Sequence, residues 1–238
     1  MTIQSLKRLI KKTPVLRIVA RWAERVLGRW ASSGFSSSHY WDARYRSEGN
    51  SGSGSYNRLA KFKADVLNEF VRENIIGTII EFGSGDGSQL MLAQYPSYLG
   101  VDISPSAIER TRALFANDTT KQFIHVDELR RDRSAELTLS LDVIYHLVED
   151  QVFEAHMERL FAASRIYVVI YASNFDRRDA AHVRHRKFTD WIESNRPDFE
   201  LIERIRNPYP FDPRDSDETS LADFFVYQRV ASAPGEHG

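Results

Sequence analysis

Short apolar runs alternate with amphipathic patterns between residues 57 and 230. Apolar residues three and four apart predict helices: one ended by Gly77, one starting at Gln89, one capped by Ser104 and others over 149–163 and 182–195. Runs of β-branched and aromatic residues predict strands over 78–82, 98–101, 122–126, 137–141, 165–171, 199–205 and 223–230. This alternation indicates a parallel sheet covered on both faces, and the last two strands, with no helix between them, indicate an antiparallel hairpin.

The sequence therefore predicts an α/β fold, a Rossmann-like, doubly wound sheet of seven strands, mostly parallel, with a C-terminal antiparallel hairpin and an N-terminal helical extension. We expect three parts: an extension with a Gly/Ser-rich loop over residues 1–56, one domain over 57–230 and a disordered tail over 231–238.

The N-terminal extension is basic. Residues 1–30 contain eight Lys or Arg and one acid, a local net charge of 8 − 1 = +7. Pro14 separates two amphipathic helical patterns, and the arginines of the second recur every four residues. Such a helix either packs on the domain and covers its site, or lies on an anionic membrane surface. The following residues 31–57 are rich in Gly and Ser, which predicts a loop or linker.

Composition limits the function classes. The 238 residues contain no cysteine, which excludes disulfides, zinc–thiolate sites and thiol nucleophiles. The net charge of −1 gives no reason to expect a nucleic acid partner. No apolar run is long enough to cross a bilayer, and the N-terminus does not resemble a signal peptide. We expect a cytoplasmic protein, with peripheral contact at the inner membrane surface left open, while the oligomeric state is not indicated.

A glycine loop follows the first predicted strand, over Glu81-Phe82-Gly83-Ser84-Gly85-Asp86-Gly87. Its glycines let the backbone turn tightly against a ligand, and Asp102, 17 residues after Gly85, can accept hydrogen bonds from ribose hydroxyls. The glycine loop and Asp102 together indicate an adenosine-containing ligand. Glu81 and Asp86 would repel the pyrophosphate of a dinucleotide but attract the ammonium and sulfonium of S-adenosylmethionine, so we favour the methyl donor.

The stretch 81–87 resembles the Glu/Asp-x-Gly-x-Gly-x-Gly motif of class I S-adenosylmethionine-dependent methyltransferases, and the resemblance covers residues 40–230. It implies that residues 57–230 are a methyltransferase domain. Glu81 would help hold the amino acid part of the donor, and Gly83 and Gly85 would line it. Ser84 and Gly87 are the other residues of the loop expected to bind the donor. Tyr40-Trp41-Asp42-Ala43-Arg44-Tyr45 resembles the segment that precedes the fold in relatives. By that resemblance Arg44 would pair with the donor's carboxylate, and the aromatic residues, Tyr45 among them, would close over it.

The resemblance also assigns the adenosine end of the donor. Asp102 would bind the ribose, Ile103 would pack on adenine, and Asp127 occupies the position where the family often places an acid near the adenine amino group. Asp127 could instead be a carboxylate that caps a turn. The aromatic cluster could instead belong to an N-terminal segment that packs on the core.

A second signal follows the fourth predicted strand, where the family places residues that face the transferred methyl. Asp142 and His146 are four residues apart, so one helical turn would place both beside the site. His146 is suited to take a proton from a hydroxyl, with Asp142 orienting its ring. The two side chains could instead ligate a divalent ion, which nothing else in the sequence favours. We therefore assign no metal ligands, and a divalent metal stays possible but unsupported.

The acceptor is expected to be a hydroxyl of a small molecule or glycan. Asp142-Val143-Ile144-Tyr145 lacks the prolines that relatives acting on nucleobase amines carry here, which favours O-methylation. The residues predicted to contact the acceptor are Tyr145, Tyr171, Asn174, Arg184 and His185. Two alternatives stay open: a nicotinamide-dependent oxidoreductase, and a non-catalytic scaffold that binds the donor and docks on a membrane or partner through residues 1–30.

Overall fold

A computed structural model describes residues 35–47 and 49–230. The predicted basic helices of residues 1–30 and the predicted tail over 231–238 lie outside the described residues, so their proposed roles stay predictions. Among the described residues, no helix is both long and apolar enough to cross a membrane.

The main sheet has seven strands in the order β3-β2-β1-β4-β5-β9-β8. Strands β1 to β5 are parallel, and β9 runs antiparallel to both β5 and β8. The strands are β1 (Ile79–Phe82), β2 (Tyr98–Asp102), β3 (Lys121–His125), β4 (Ala135–Leu141), β5 (Ser164–Ala172), β6 (Arg177–Ala180), β7 (Val183–His185), β8 (Phe199–Ile205) and β9 (Asp223–Arg229). The predicted doubly wound sheet and its terminal antiparallel pair are confirmed.

The described part of the chain also forms five α-helices, which are α1 (Ser37–Arg46), α2 (Asn57–Glu73), α3 (Pro105–Leu114), α4 (Asp150–Ala162) and α5 (Phe188–Asn195). The Ser104 side chain accepts a hydrogen bond from the backbone N–H of Ala107 and so caps α3, as its sequence predicts. Successive side chains of a strand point to opposite faces, so the core has two halves. Ile80 and Phe82 pack with α4, and Ile79 packs with α2.

The first difference from the sequence prediction is α1, because residues 31–57 were expected to be a loop. Ser36 caps this helix by accepting from the backbone N–H of His39 at 3.4 Å. Only Ser37 and Tyr45 of α1 are buried, so its sequence shows no apolar stripe. Docking on the rest of the domain, rather than periodicity, therefore decides that this segment is helical.

The second difference lies between β1 and β2, where a helix was expected to start at Gln89. Only a 3₁₀ turn, Leu90–Leu92, forms. Gly87 has a positive φ of 81° at one end of this segment, and Pro96 follows at the other. Because proline disfavours helical backbone in the residue before it, no length is left for an α-helix.

The third difference is the segment 182–195, which was expected to be one helix. Val183–His185 pairs with Arg177–Ala180 as a separate two-stranded hairpin, and α5 begins only at Phe188. The hairpin places His182 next to the end of β4, as its contact with His146 shows.

Candidate active site

A cavity of about 670 Å³ opens at the carboxyl ends of β1, β2 and β4. This is where the strand order reverses between β1 and β4, and where doubly wound sheets bind ligands. Its wall includes the glycine loop, one side of α1 and the first turns of α4. Most of the predicted donor residues line it, namely Tyr45, Glu81, Gly83, Ser84, Gly85, Asp102, Ile103 and Asp127.

The glycine loop is shaped for close approach of a ligand. Gly83 and Gly85 have φ angles of +86° and +57°, which other residues rarely adopt. A Cβ on Gly83 would collide with Val143, and one on Gly85 would lie 2.5 Å from the Ser51 hydroxyl. The Ser84 hydroxyl and the Gln89 side-chain oxygen are buried without a hydrogen-bond partner. Both residues also belong to the lining of the cavity.

Asp86 joins the glycine loop to the preceding Gly/Ser segment. Its carboxylate accepts hydrogen bonds from the backbone N–H of Ser51 (2.8 Å), the Tyr56 hydroxyl (3.0 Å) and the backbone N–H of Ser88 (3.0 Å). Burial alone would raise the pKa of Asp86, but the bonds from Ser88 and Ser51 outweigh it, and the pKa is lowered. This carboxylate also holds residues 51–56 on the loop, so the attraction between Asp86 and the donor's positive charge stays a prediction.

Asp102 ends β2 and is buried at 7% exposure. It accepts from the backbone N–H groups of Gly85 (2.8 Å) and Ser104 (2.9 Å), while burial raises its pKa. Each carboxylate oxygen has a second lone pair, which leaves room for a ribose hydroxyl. Ile103 is 38% exposed on the cavity wall, and Asp127 is exposed at its rim, 3.5 Å from the His125 ring.

Lys63 is a site residue that the sequence prediction missed. It comes from α2, is 1% exposed, and its ammonium lies 2.6 Å from an Asp142 carboxylate oxygen. Glu81 is buried nearby and accepts from the Tyr98 hydroxyl at 2.8 Å. Burial raises the pKa of Glu81 to about 7, although the Tyr98 bond and the charge of Lys63 oppose the rise. A lysine on the buried stripe of α2 (Leu59, Ala60, Lys63, Ala64, Leu67, Val71) was the available signal.

His146 faces the cavity from a 3₁₀ turn, Ile144–His146, after β4. Its Nδ1 lies 3.2 Å from the backbone oxygen of His182, a pure acceptor, so Nδ1 carries the hydrogen and Nε2 keeps its lone pair. Burial lowers the pKa of His146 to about 4, against the opposing effects of the His182 bond and the Asp142 charge. The Trp41 ring packs edge-on at 4.7 Å.

The expected pairing of Asp142 with His146 is wrong. Asp142 has a left-handed φ of +59° and is followed by a 3₁₀ turn, so the two side chains do not share one face of an α-helix. Its carboxylate binds Lys63 and accepts from the Tyr145 hydroxyl at 2.7 Å. A backbone carbonyl, that of His182, orients the histidine instead.

Helix α1 covers the cavity with Trp41, Asp42 and Tyr45. The Tyr45 hydroxyl lies 3.1 Å from the Ser51 hydroxyl, and Asp42 accepts from the Ser104 hydroxyl at 2.8 Å. Arg44 is placed differently from the expectation. Its guanidinium donates to the backbone and side-chain oxygens of Asn50, and Arg44 is not among the residues that line the cavity.

Of the residues predicted to contact the acceptor, the structure places only Tyr145 against His146. Tyr145 lies against the His146 ring at 4.6 Å between ring centroids. Tyr171 is fully buried under α2, and Asn174 binds Thr189 at the start of α5. The structure gives Arg184 and His185 other partners, because Arg184 binds Asp150 and the Val148 carbonyl, and His185 lies between Ser173 and Asp179.

Within residues 35–47 and 49–230, no three His, Asp or Glu side chains are grouped as metal ligands would be.

Comparison with protein families finds no family model that matches the chain. A curated relative, the small RNA 2′-O-methyltransferase of Arabidopsis thaliana, is 30% identical over 112 residues. The match spans 40% of this chain and only 12% of that protein.

Three solved structures with a similar fold are named as methyltransferases. The methyltransferase domain of bacterial CtHen1 matches with a TM-score of 0.55 and 18% identity, over 71% of this chain and 97% of that one. Magnesium protoporphyrin IX methyltransferase from Synechocystis, with bound S-adenosylmethionine, matches with a TM-score of 0.59 and 13% identity, over 84% and 100%. The N-methyltransferase NodS from Bradyrhizobium japonicum, with S-adenosylhomocysteine, matches at 0.57 and 14%, over 72% and 87%. At these identities, the likeness shows a shared fold.

Proposed function

We propose that this chain is a class I S-adenosylmethionine-dependent methyltransferase, which transfers a methyl group from that donor to an acceptor hydroxyl. The observation that carries the proposal is one cavity that joins the glycine loop, Asp102 and His146. The first two suit an adenosine-containing donor, and the third is a neutral base at the end of β4.

The residues of the cavity fit the donor. Asp102 binds the ribose hydroxyls, Ile103 packs against adenine, and Asp127 is within the adenine end of the cavity. Gly83 and Gly85 admit the donor close to the backbone, and Ser84 lies between them in the same loop. At Gly87, where φ is +81°, a Cβ would lie only 3.0 Å from side-chain atoms of Thr111 and Phe115. When bound, the donor supplies a methyl group activated by its positive sulfur.

His146 handles the proton of the reaction. As the acceptor oxygen forms its bond to the methyl carbon, the bond from that carbon to sulfur breaks, and the hydroxyl proton moves to Nε2 of His146. The bond from Nδ1–H to the His182 carbonyl holds the ring in the required tautomer. Trp41 and the rest of α1 exclude water and hold the two reactants together.

A hydroxyl acceptor agrees with the Arabidopsis relative, which is named for 2′-O-methylation of small RNA. The other similar structures include an N-methyltransferase and a porphyrin methyltransferase, so the acceptors of this fold are diverse. We propose a sugar or small-molecule hydroxyl, and the ribose hydroxyl of an RNA belongs to the set to be tested, against our expectation that nucleic acid is not a partner.

The structure disfavours a nicotinamide dinucleotide as the ligand. A pyrophosphate needs the N-terminus of a helix directly after the glycine loop. Here the loop leads into the single 3₁₀ turn Leu90–Leu92. The nicotinamide alternative therefore lacks the element that would neutralise its phosphates.

Calorimetric titration with S-adenosylmethionine, S-adenosylhomocysteine and NADH tests the donor. We expect binding of the first two and not of NADH. Incubation with methyl-labelled donor and sets of sugars, small phenols and short RNAs then tests the acceptor class. A protein that binds NADH but neither sulfur compound would overturn the proposal, and transfer of label only to amines would overturn its hydroxyl part.

A further inference from the structure

The ammonium of Lys63 has a place in the cavity that the sequence assigned to another residue. We infer that Lys63 binds the carboxylate of the donor's amino acid part, in the role expected of Arg44, and that Asp142 anchors it there. This inference rests on the proposed function, because it concerns how the same donor is recognised.

The position of Lys63 follows from the two faces of the sheet. Side chains alternate along β1, so Glu81 shares the α2 face with Ile79, while Ile80 and Phe82 face α4. Lys63 belongs to the buried stripe of α2 and interacts electrostatically with Glu81. Because the resemblance places the amino acid part of the donor at Glu81, that part lies on the same face as Lys63.

The charges of the cavity leave Lys63 as the partner for a carboxylate. Four acids line its glycine-loop side, namely Glu81, Asp86, Asp102 and Asp142, and a donor carboxylate among them would be repelled. Among the described residues, the lysines and arginines that line the cavity are Lys63 and Arg159. Arg159 lies on α4, which covers the opposite face of the sheet.

The ammonium is held ready for a ligand. It has three N–H donors, and one of them reaches Asp142 at 2.6 Å. The Tyr171 ring lies 5.4 Å away, and the Tyr145 hydroxyl donates to the second oxygen of Asp142. These contacts fix Asp142 and Lys63 at the cavity wall, and the remaining N–H groups are available to two carboxylate oxygens. Arg44 is committed to Asn50 instead.

The charge of the donor suits this arrangement. Its amino acid part carries one ammonium and one carboxylate. The ammonium of Lys63 attracts the donor's carboxylate, while the carboxylates of Glu81 and Asp142 attract the donor's ammonium. The site thus has a partner for each charge of a zwitterion. Its affinity for the donor therefore depends on both the ammonium and the carboxylate of the amino acid part.

The test compares S-adenosylmethionine with its decarboxylated analogue, which lacks only the carboxylate. The measurement, by calorimetry, is the dissociation constant of the analogue divided by that of S-adenosylmethionine. For the native protein this ratio should be above one, because the analogue is expected to bind more weakly. In Lys63→Met this ratio should fall by about ten-fold or more, as expected for a lost charge-assisted hydrogen bond. Lys61→Met is the matched control, because Lys61 lies on the same helix, is exposed and pairs with Asp65. It should leave the ratio unchanged.

Lys63→Met leaves Asp142 without its partner and can reduce stability. The double variant Lys63→Met/Asp142→Asn removes both charges, and it should show the same low ratio. Asp142→Asn alone should lower the ratio by less than Lys63→Met does, because Lys63 keeps its charge but loses its anchor. A native ratio in folded Lys63→Met or in the double variant overturns the inference while leaving the methyltransferase proposal intact. Failure of the native protein to bind the donor overturns both.

Discussion

The tautomer of His146 determines whether this side chain can accept a proton in the cavity. A carbonyl can only accept, so the contact of His146 with the His182 carbonyl leaves Nε2 unprotonated. The low pKa of about 4, caused by burial, keeps the ring neutral at physiological pH. The same burial makes it a weaker base than an exposed histidine.

We expect His146→Ala to lower kcat about 100-fold or more at saturating donor, because the acceptor proton loses its base. Donor affinity should change less than about three-fold, since the donor site that we propose is formed by the glycine loop and Asp102. His146→Asn serves as the control, because its side-chain amide can still donate to the His182 carbonyl but offers no basic nitrogen. If His146→Asn turned over like the native enzyme, the histidine would only position its neighbours.

Elements that look unstructured in the sequence form one wall of the cavity. The Gly/Ser-rich segment 49–55 follows α1 and lies on the glycine loop, where Ser51 and Asp86 exchange two hydrogen bonds. Tyr45 of α1 and Tyr56 before α2 each bind into the same group of residues. A segment that resembles a linker is therefore held in place by several hydrogen bonds, among them those that the Asp86 carboxylate accepts from Ser51 and Tyr56.

We expect Asp86→Asn to release this segment, because the amide nitrogen cannot accept the hydrogen bonds that the carboxylate does. Limited proteolysis within residues 49–55 should become several-fold faster, and donor affinity should fall by about ten-fold. Asp132→Asn, at an exposed aspartate that pairs with Arg130, is the matched control. Unchanged cleavage and unchanged affinity in Asp86→Asn would show that Asp86 does not hold the segment.

At the scale of the whole molecule, the site reduces stability at higher pH. Glu81 has a pKa of about 7 in the folded protein, against 4.5 for an ordinary glutamate. The folded state therefore binds its proton more tightly than the unfolded chain does. Its contribution to stability is present below the unfolded pKa and is lost as the pH rises through about 7. Above that pH, a charged carboxylate stays buried, and a positively charged donor can then offset part of its cost.

We expect Glu81→Gln to be more stable relative to the native protein at pH 8 than at pH 5. The difference is at most on the order of 3 kcal/mol, from about 1.4 kcal/mol per pKa unit. Urea unfolding of both proteins at the two pH values, without donor, measures it. Glu69→Gln, at an exposed glutamate of α2, is the control. The same pH dependence in Glu81→Gln and in the native protein would contradict the raised pKa.

Local signals in the sequence were enough for much of the fold. The buried strands are continuous apolar runs, Ser104 and Pro105 mark the start of α3, and the glycine loop followed by Asp102 marks the donor end of the cavity. These features depend on residues close together in the chain, whose backbone preferences and burial decide the outcome. The seven-stranded sheet and the position of the cavity follow from them.

Tertiary structure alone decided the contacts between distant segments. Lys63 and Asp142 are 79 residues apart, and His146 meets a carbonyl 36 residues away. Arg44 and Arg184 were both expected to bind ligands. Arg44 instead donates to Asn50, and Arg184 pairs with Asp150 and donates to the Val148 carbonyl. A sequence shows which residues carry charge, but a charge acts on the nearest partner in space. The glycine loop therefore predicted the donor, whereas the partners of each charge around it depended on how α1, α2 and the β6–β7 hairpin pack.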